Sequence, residues 1–168
     1  MIRKVLESDL STVVDIQIAG WQTAYRGIID DEFLDNLDKE KILERRKKDF
    51  DKCGFLVIEE DDILGFCRYV YDGKCSPLYD ADCEIMALYM RPDLKGRGLG
   101  SKLFKHVIDE FKSLGKKKMI LWCLKDNMPS RGFYLKMGGE LIGEKPITFG
   151  DKEYMEVGYV FNVGDEDE

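Results

Sequence analysis

Between Cys83 and Leu124 the sequence permits few folds. Cys83-Glu84-Ile85-Met86-Ala87-Leu88-Tyr89-Met90 is a β-rich run closed by Arg91-Pro92, where proline ends a strand ladder. Leu99, Leu103, Val107, Phe111 and Leu114 then recur on one helical face, with Gly115 just past the end. Met119 to Leu124 is an unbroken apolar run suited to burial on both faces. Strand, helix and strand in this order predict a right-handed parallel crossover with the helix laid over a sheet.

The flanking segments fill out that sheet. Residues 2 to 6 read as a short strand. Ser8 or Asp9 can cap a helix whose apolar positions are Leu10, Val13, Val14, Ile18, Trp21 and Tyr25, ended by Gly27. Asp30 to Asp51 predicts one short and one longer helix, the second capped by Asp38. Phe55 to Ile58 and Ile63 to Tyr71, joined by Glu59-Glu60-Asp61-Asp62, predict an antiparallel hairpin, followed by a loop holding Gly73 and Pro77. Pro129 opens a short helix that ends at Gly138-Gly139, and Glu140 to Val163 holds two strands with a turn near Gly150-Asp151. No repeat or linker interrupts the pattern, which predicts one mixed α/β domain over residues 1–163 and a solvated acidic tail over 164–168.

Charge and cysteine content narrow the class. A chain of 168 residues can bury roughly 70% of its unfolded surface, so it needs no disulfide scaffold. The formal charge of −7 disfavours a duplex nucleic-acid binder held by phosphate contacts, and no apolar run is long enough to span a membrane. Five cysteines without a C-x-x-C pair, and an N-terminus lacking a signal-peptide core, predict reduced thiols in a cytoplasmic protein. The single histidine, His106, shares a helical stripe with Lys102, Lys105 and Asp109 and reads as exposed; no metal site is expected.

Chemistry is expected at the junction Lys95-Gly96-Arg97-Gly98-Leu99-Gly100-Ser101, where a buried strand leads into the amphipathic helix. Unpaired N–H donors and roughly half a positive charge at a helix N-terminus suit a phosphate, and glycines let a ligand approach the backbone. Neither of two familiar phosphate loops fits. Gly100 is followed by Ser101 before Lys102, which breaks G-x-x-x-x-G-K-[ST], and Gly96, Gly98 and Gly100 give G-x-G-x-G instead of G-x-G-x-x-G.

The junction resembles the Q/R-x-x-G-x-G/A loop of the GNAT-type N-acetyltransferases, with Lys95 in place of Gln or Arg. Asn127-Met128-Pro129-Ser130-Arg131-Gly132-Phe133-Tyr134-Leu135-Lys136-Met137-Gly138-Gly139 is similar to that family's N-x-x-A-x-x-F-Y-x-K-x-G-[FG] segment, with Ser130 where alanine is usual. The two motifs stand in the family's order with a strand between them. Trp21-Gln22-Thr23-Ala24-Tyr25-Arg26-Gly27-Ile28-Ile29 also resembles a subgroup of small bacterial acetyltransferases, in which the region borders the acceptor site. The resemblance implies a mostly antiparallel central sheet with a splayed parallel strand pair flanked by helices. It implies acetyl-CoA as co-substrate, a small-molecule amine acceptor, direct transfer without a metal, and a possible homodimer. The same fold used as a non-catalytic acyl-CoA-binding or sensory domain is the alternative.

By that resemblance, Leu88, Tyr89 and Met90 would part from the neighbouring strand at a bulge and offer their backbone to pantetheine. Backbone amides from Arg97 through Gly98, Leu99 and Gly100 to Ser101, beside Lys95 and Gly96, would hold the pyrophosphate. Asn127 would bond the pantetheine arm, cap the helix ahead of Pro129, or both. An alkylamine of pKa near 10.4 is mostly protonated at pH 7, a barrier of roughly 4–5 kcal/mol, so a base is useful. Glu84 is the only acid in its strand, and alternation would place it on one face with Met86, Leu88 and Met90; Asp82 or a water chain are alternatives. Tyr134 would hydrogen-bond the sulfur as charge develops, since full proton transfer from a phenol to a thiolate is uphill by about 2 kcal/mol. Trp21, Tyr25, Tyr69 and Tyr71 could line an acceptor pocket. Lys116-Lys117-Lys118 reads as a solvated turn, or as a contact for the cofactor's outer phosphate.

Overall fold

The computed structural model describes residues 1–71 and 80–164. Among them seven strands form one sheet: β1 (Ile2–Lys4), β2 (Gly54–Glu59), β3 (Ile63–Val70), β4 (Cys83–Met90), β5 (Lys118–Leu124), β6 (Glu140–Phe149) and β7 (Lys152–Asn162). Their spatial order is β1-β2-β3-β4-β5-β7-β6, antiparallel throughout except for the central β4–β5 pair. The expected mixed α/β sheet with one parallel crossover is therefore the fold observed. The loop holding Gly73, Cys75 and Pro77 and the acids from Asp165 to Glu168 lie outside the described residues.

Two helical layers cover the sheet. On one face lies α4 (Leu99–Ser113), whose Leu99, Leu103, Phe104, Val107 and Phe111 are buried against Cys67, Cys83, Ile85, Met119 and Leu121. Each such side chain contributes about 1.5–3 kcal/mol by leaving water, so this face anchors the crossover. On the other face α1 (Leu10–Ala24) sets Leu10, Val13 and Ile16 against Phe55, Val57, Ile63 and Phe66. Alongside run α2 (Asp31–Asp35) and α3 (Lys39–Asp49), the latter capped as expected by Asp38, whose carboxylate accepts the Lys41 N–H at 3.2 Å. A third apolar cluster joins Ile29, Leu34 and Leu124 to Trp21, Phe33 and Phe149.

Some local details differ from the sequence expectations. The first strand stops at Lys4 rather than residue 6, because Asp9 turns the chain early. Its carboxylate accepts the Leu6 N–H at 2.7 Å and pairs with Arg3 at 2.8 Å, facing back toward β1 instead of capping α1. Tyr69 is buried in the sheet–α4 core and donates its hydroxyl to Glu110, so it is a core residue and not an acceptor-pocket wall. Tyr71 packs its ring against Tyr69 at 6.2 Å. Lys116 and Lys117, with Lys118 opening β5, lie at the opposite end of α4 from the glycine junction, about 22 Å away at 1.5 Å per residue. His106 is exposed, as its stripe predicts.

Candidate active site

The centre of the sheet is divided. β4 and β5 pair at only three positions, Cys83↔Met119, Glu84↔Ile120 and Ile85↔Leu121. Beyond them the ladder to β3 skips Met86, since Arg68 faces Ala87 while Tyr69 faces Ile85. This bulge bends β4 away from β5, so Met86 to Met90 and Trp122 to Leu124 no longer pair with one another. A cleft of about 510 Å³ opens there, walled by β4, β5, the C-terminal end of α1, the glycine junction and α5 (Met128–Lys136). A parting that leaves main-chain groups available inside a largely apolar slot is how an extended amide-containing ligand can be gripped.

The bulge corrects the expected position of Glu84. Cys83 and Ile85 face the α4 core, yet beyond Met86 it is Leu88 and Met90 that face it, while Ala87 and Tyr89 turn toward α1. One extra residue reverses the alternation, so Glu84 lies on the α1 face, opposite Leu88 and Met90. It is half-buried just before the cleft-lining Ile85 and Met86, and is not itself part of the lining. Burial raises its carboxyl above the usual range, Lys145 pulls it back, and Glu156 pushes it up again. Glu156 pairs with Lys145 at 3.5 Å, and the Lys145 ammonium stands 4.2 Å from the centre of the Trp122 ring. Asp82 is occupied structurally: its carboxylate accepts the N–H groups of Lys117 and Lys118 at 3.0 Å each.

At the cleft's other end, Gly98 is the N-cap of α4 with φ +73°, a left-handed conformation that costs other residues roughly 1–2 kcal/mol. No side chain caps this helix, and its first main-chain hydrogen bond runs from Lys102 N–H to Gly98 O at 3.1 Å. The amides of Leu99, Gly100 and Ser101 therefore form a donor cluster with the positive end of the helix dipole behind them. Lys95 and Gly100 line the cleft; Gly96 is exposed, and the exposed Arg97 pairs with Glu60 at 2.9 Å. This donor set fits a diphosphate.

The third wall is α5. Asn127 is the N-cap, buried to 6% exposure, and its side-chain oxygen accepts the Ser130 N–H at 3.4 Å. It also lines the cleft, so the residue that caps α5 borders whatever occupies that space. Two helical turns on, Tyr134 shares that face, half-buried, with its ring 6.0 Å from that of Tyr159. Among the described residues its hydroxyl makes no hydrogen bond, and burial holds the phenol well above its ordinary value of 10. It is therefore a protonated donor on the cleft wall. Cys123, which sequence reasoning did not place here, also lines the cleft; burial pushes its thiol up to about 11, which keeps it protonated and poorly nucleophilic.

The acceptor-side aromatics separate. Tyr25 lines the cleft, whereas Trp21 stands behind it, packed against Phe149 at 5.1 Å and Tyr25 at 5.2 Å. Tyr89 was expected to act through its backbone, but its side chain is also placed: the Trp21 indole N–H donates to its hydroxyl at 2.7 Å, and the Tyr25 hydroxyl lies 3.2 Å away. Nothing in the local spacing announces this contact, because the bulge decides which way Tyr89 points.

A second depression, of about 570 Å³, lies between α1 and the β2–β3 turn. Three of its acids are committed to neighbours, Asp15 to Lys39, Glu59 to Arg3 and Asp93 to Arg91. Among the described residues no helix is long and apolar enough to cross a membrane, and no three His, Cys, Asp or Glu side chains gather as a metal site.

Residues 18–139 match the model of the acetyltransferase (GNAT) family. The chain is 25% identical over 149 residues to a spermidine N(1)-acetyltransferase of Thermoplasma acidophilum, covering 82% of this chain and 86% of that protein. Among solved structures it resembles the PaiA N-acetyltransferase of Thermoplasma acidophilum in complex with coenzyme A, with a TM-score of 0.70, 23% identity, and 93% and 96% of the two chains covered. It also resembles the yncA protein of Salmonella typhimurium, solved with its cofactor acetyl-CoA, with a TM-score of 0.70, 20% identity, and 99% and 95% covered.

Proposed function

Because this chain belongs to the acetyltransferase (GNAT) family, we propose that its cleft moves an acetyl group from acetyl-CoA to the primary amine of a small acceptor by direct attack in a ternary complex. The observation that carries the reading is the alignment of the uncapped α4 amides with the parted strands. One end suits the diphosphate and the other suits the amide-bearing arm, with Asn127 and Tyr134 along one wall. That coenzyme supplies an activated acetyl thioester; everything else is done by the chain.

The main-chain N–H groups of Leu99, Gly100 and Ser101 hold the phosphates, Asn127 and the free edge of Leu88 to Met90 orient the arm, and Tyr134 donates toward the departing sulfur. Tyr134 is suited to stabilising charge as it forms, since burial makes outright loss of its proton costly. Glu84 on the α1 face accepts the proton that the amine sheds, directly or through a water. The protonated Cys123 favours direct transfer over an acyl-cysteine route. The protein's net negative charge and the Glu84–Glu156 pair on the acceptor face support a cationic amine, as does the relative named for spermidine.

The test is release of free coenzyme A thiol from acetyl-CoA across a panel of polyamines, amino acids, aminoglycosides and peptide N-termini. Thiol release dependent on one amine class supports the reading. Tight acetyl-CoA binding with no turnover on any amine would instead favour a non-catalytic binding domain.

Glu84 makes a separate prediction through pH. Its raised pKa places the acid limb of kcat/KM above the ordinary carboxylate midpoint of 4.5, with the rate rising as the group ionises. Glu84→Gln should remove that limb and lower the plateau by about 100-fold. Stability should move the other way. A carboxyl with a raised folded pKa contributes stability below its unfolded pKa, and that contribution is lost as pH rises through the folded value. At pH 7 the glutamine variant should therefore unfold at the same temperature or slightly higher. An unaltered acid limb in Glu84→Gln would remove the base assignment.

A further inference from the structure

Trp21, Tyr89 and Tyr25 form a hydrogen-bonded series that begins outside the cleft and ends on its wall. The Trp21 indole nitrogen lies 2.7 Å from Tyr89 Oη, which lies 3.2 Å from Tyr25 Oη. The Tyr89 ring is pinned between Phe66, at 5.7 Å between centres, and the backbone of α1 at Gly20. A Cβ on Gly20 would come within 3.0 Å of Tyr89 Cδ1, so glycine inside this helix, which costs about 1 kcal/mol relative to alanine, permits the close approach.

An indole N–H can only donate, so Tyr89 Oη accepts from Trp21. The Tyr89 proton must then go elsewhere, and among the described residues the one acceptor in reach is Tyr25 Oη. The reverse arrangement, with Tyr25 donating, would give Tyr89 two donors and leave its own proton without a protein acceptor among the described residues, a costly outcome for a hydroxyl this far from bulk water. With Tyr25 accepting from Tyr89, its own proton points away, into the cleft it lines.

We propose that Trp21 is a positioning residue that sets this series running from Trp21 through Tyr89 to Tyr25, so that Tyr25 presents its hydroxyl proton to the acceptor side of the cleft. Successive donation in one direction polarises the terminal hydroxyl and strengthens it as a donor. The group that meets Tyr25 is then a hydrogen-bond acceptor, such as a hydroxyl or carbonyl oxygen, and not an ammonium. The inference rests on acetyl transfer at this cleft for its catalytic consequence, but the direction of the series is a property of the free protein.

Two readouts separate these levels. In ¹H–¹⁵N spectra of the ligand-free protein, the indole resonance that vanishes in Trp21→Phe should shift upfield and exchange faster in Tyr89→Phe. No change there overturns the series whatever the enzyme does. In steady-state assays with an acceptor identified from the amine panel, Trp21→Phe, Tyr89→Phe and Tyr25→Phe should each lower kcat/KM for that acceptor about ten-fold, the scale of one lost hydrogen bond, with acetyl-CoA affinity unchanged. Trp21→Phe keeps an aromatic ring beside Phe149, so unfolding temperature serves as its packing control. The double variant Trp21→Phe/Tyr25→Phe should be no worse than Tyr25→Phe alone, because Trp21 acts through Tyr25. Losses that multiply to about a hundred-fold would overturn the positioning role. Absence of turnover on every amine would defeat the acetyltransferase reading, leaving the indole spectrum to test the Trp21–Tyr89 bond on which the series depends.

Discussion

Gly100→Glu is expected to weaken acetyl-CoA binding by about 100-fold or more, roughly 3 kcal/mol, while leaving the protein as stable as before or slightly more so. Gly100 is the second residue of α4, and a Cβ there meets only Met90 Cγ at 3.9 Å, an ordinary contact. The new carboxylate therefore has room. It can fold onto the amides of the first turn and places a negative charge where the diphosphate must sit. For the helix alone the change is favourable: an acid in the first turn gains about 0.3–1 kcal/mol from the dipole, and replacing glycine gains a similar amount. Calorimetry and thermal unfolding on the same sample should thus move apart. A variant that still bound acetyl-CoA within three-fold of the parent would show that the α4 N-terminus is not the phosphate site.

Tyr134→Phe should lower kcat by about 10- to 100-fold with acetyl-CoA affinity little changed. The hydroxyl has no hydrogen-bond partner among the described residues, so its removal orphans no buried group and should leave unfolding temperature within about 1 kcal/mol equivalent of the parent. Because burial raises the phenol, the residue stays protonated through and beyond pH 10. The parent should therefore show no alkaline fall in kcat from this group up to that pH. Unchanged kcat in the phenylalanine variant at saturating acceptor would withdraw the role.

Elements whose evidence is local were legible in the sequence. The Cys83–Met90 strand, α4 from Leu99, the Asp38 cap and the β6–β7 hairpin about Gly150 each depend on a period or a turn residue a few positions away. The parallel crossover followed from element order, and the two glycine- and asparagine-bearing motifs lie on the cleft they implied. What escaped was set by single non-local events. One residue at Met86 reverses the facing of everything beyond it, so Glu84 moved to the α1 side and Tyr89 gained a side-chain contact. Periodicity likewise cannot separate Trp21, Tyr25 and Tyr69. All three are aromatic residues in amphipathic elements, yet one braces, one lines the cleft and one is buried beneath α4. Cys123 carried no signal because its strand reads as uniformly apolar.

The clusters on the two faces of the sheet have a bearing on how such a protein can diversify. Leu103, Phe104, Val107 and Phe111 seat α4 on one face of the sheet, while Trp21, Phe33 and Phe149 pack at the α1–α2 layer on the other. Substitutions in groups that share no partner have nearly additive effects. On the proposed function, descendants of this chain could therefore exchange one nucleophile for another by remodelling the α1–α2 layer, at little cost to their grip on the common acetyl donor.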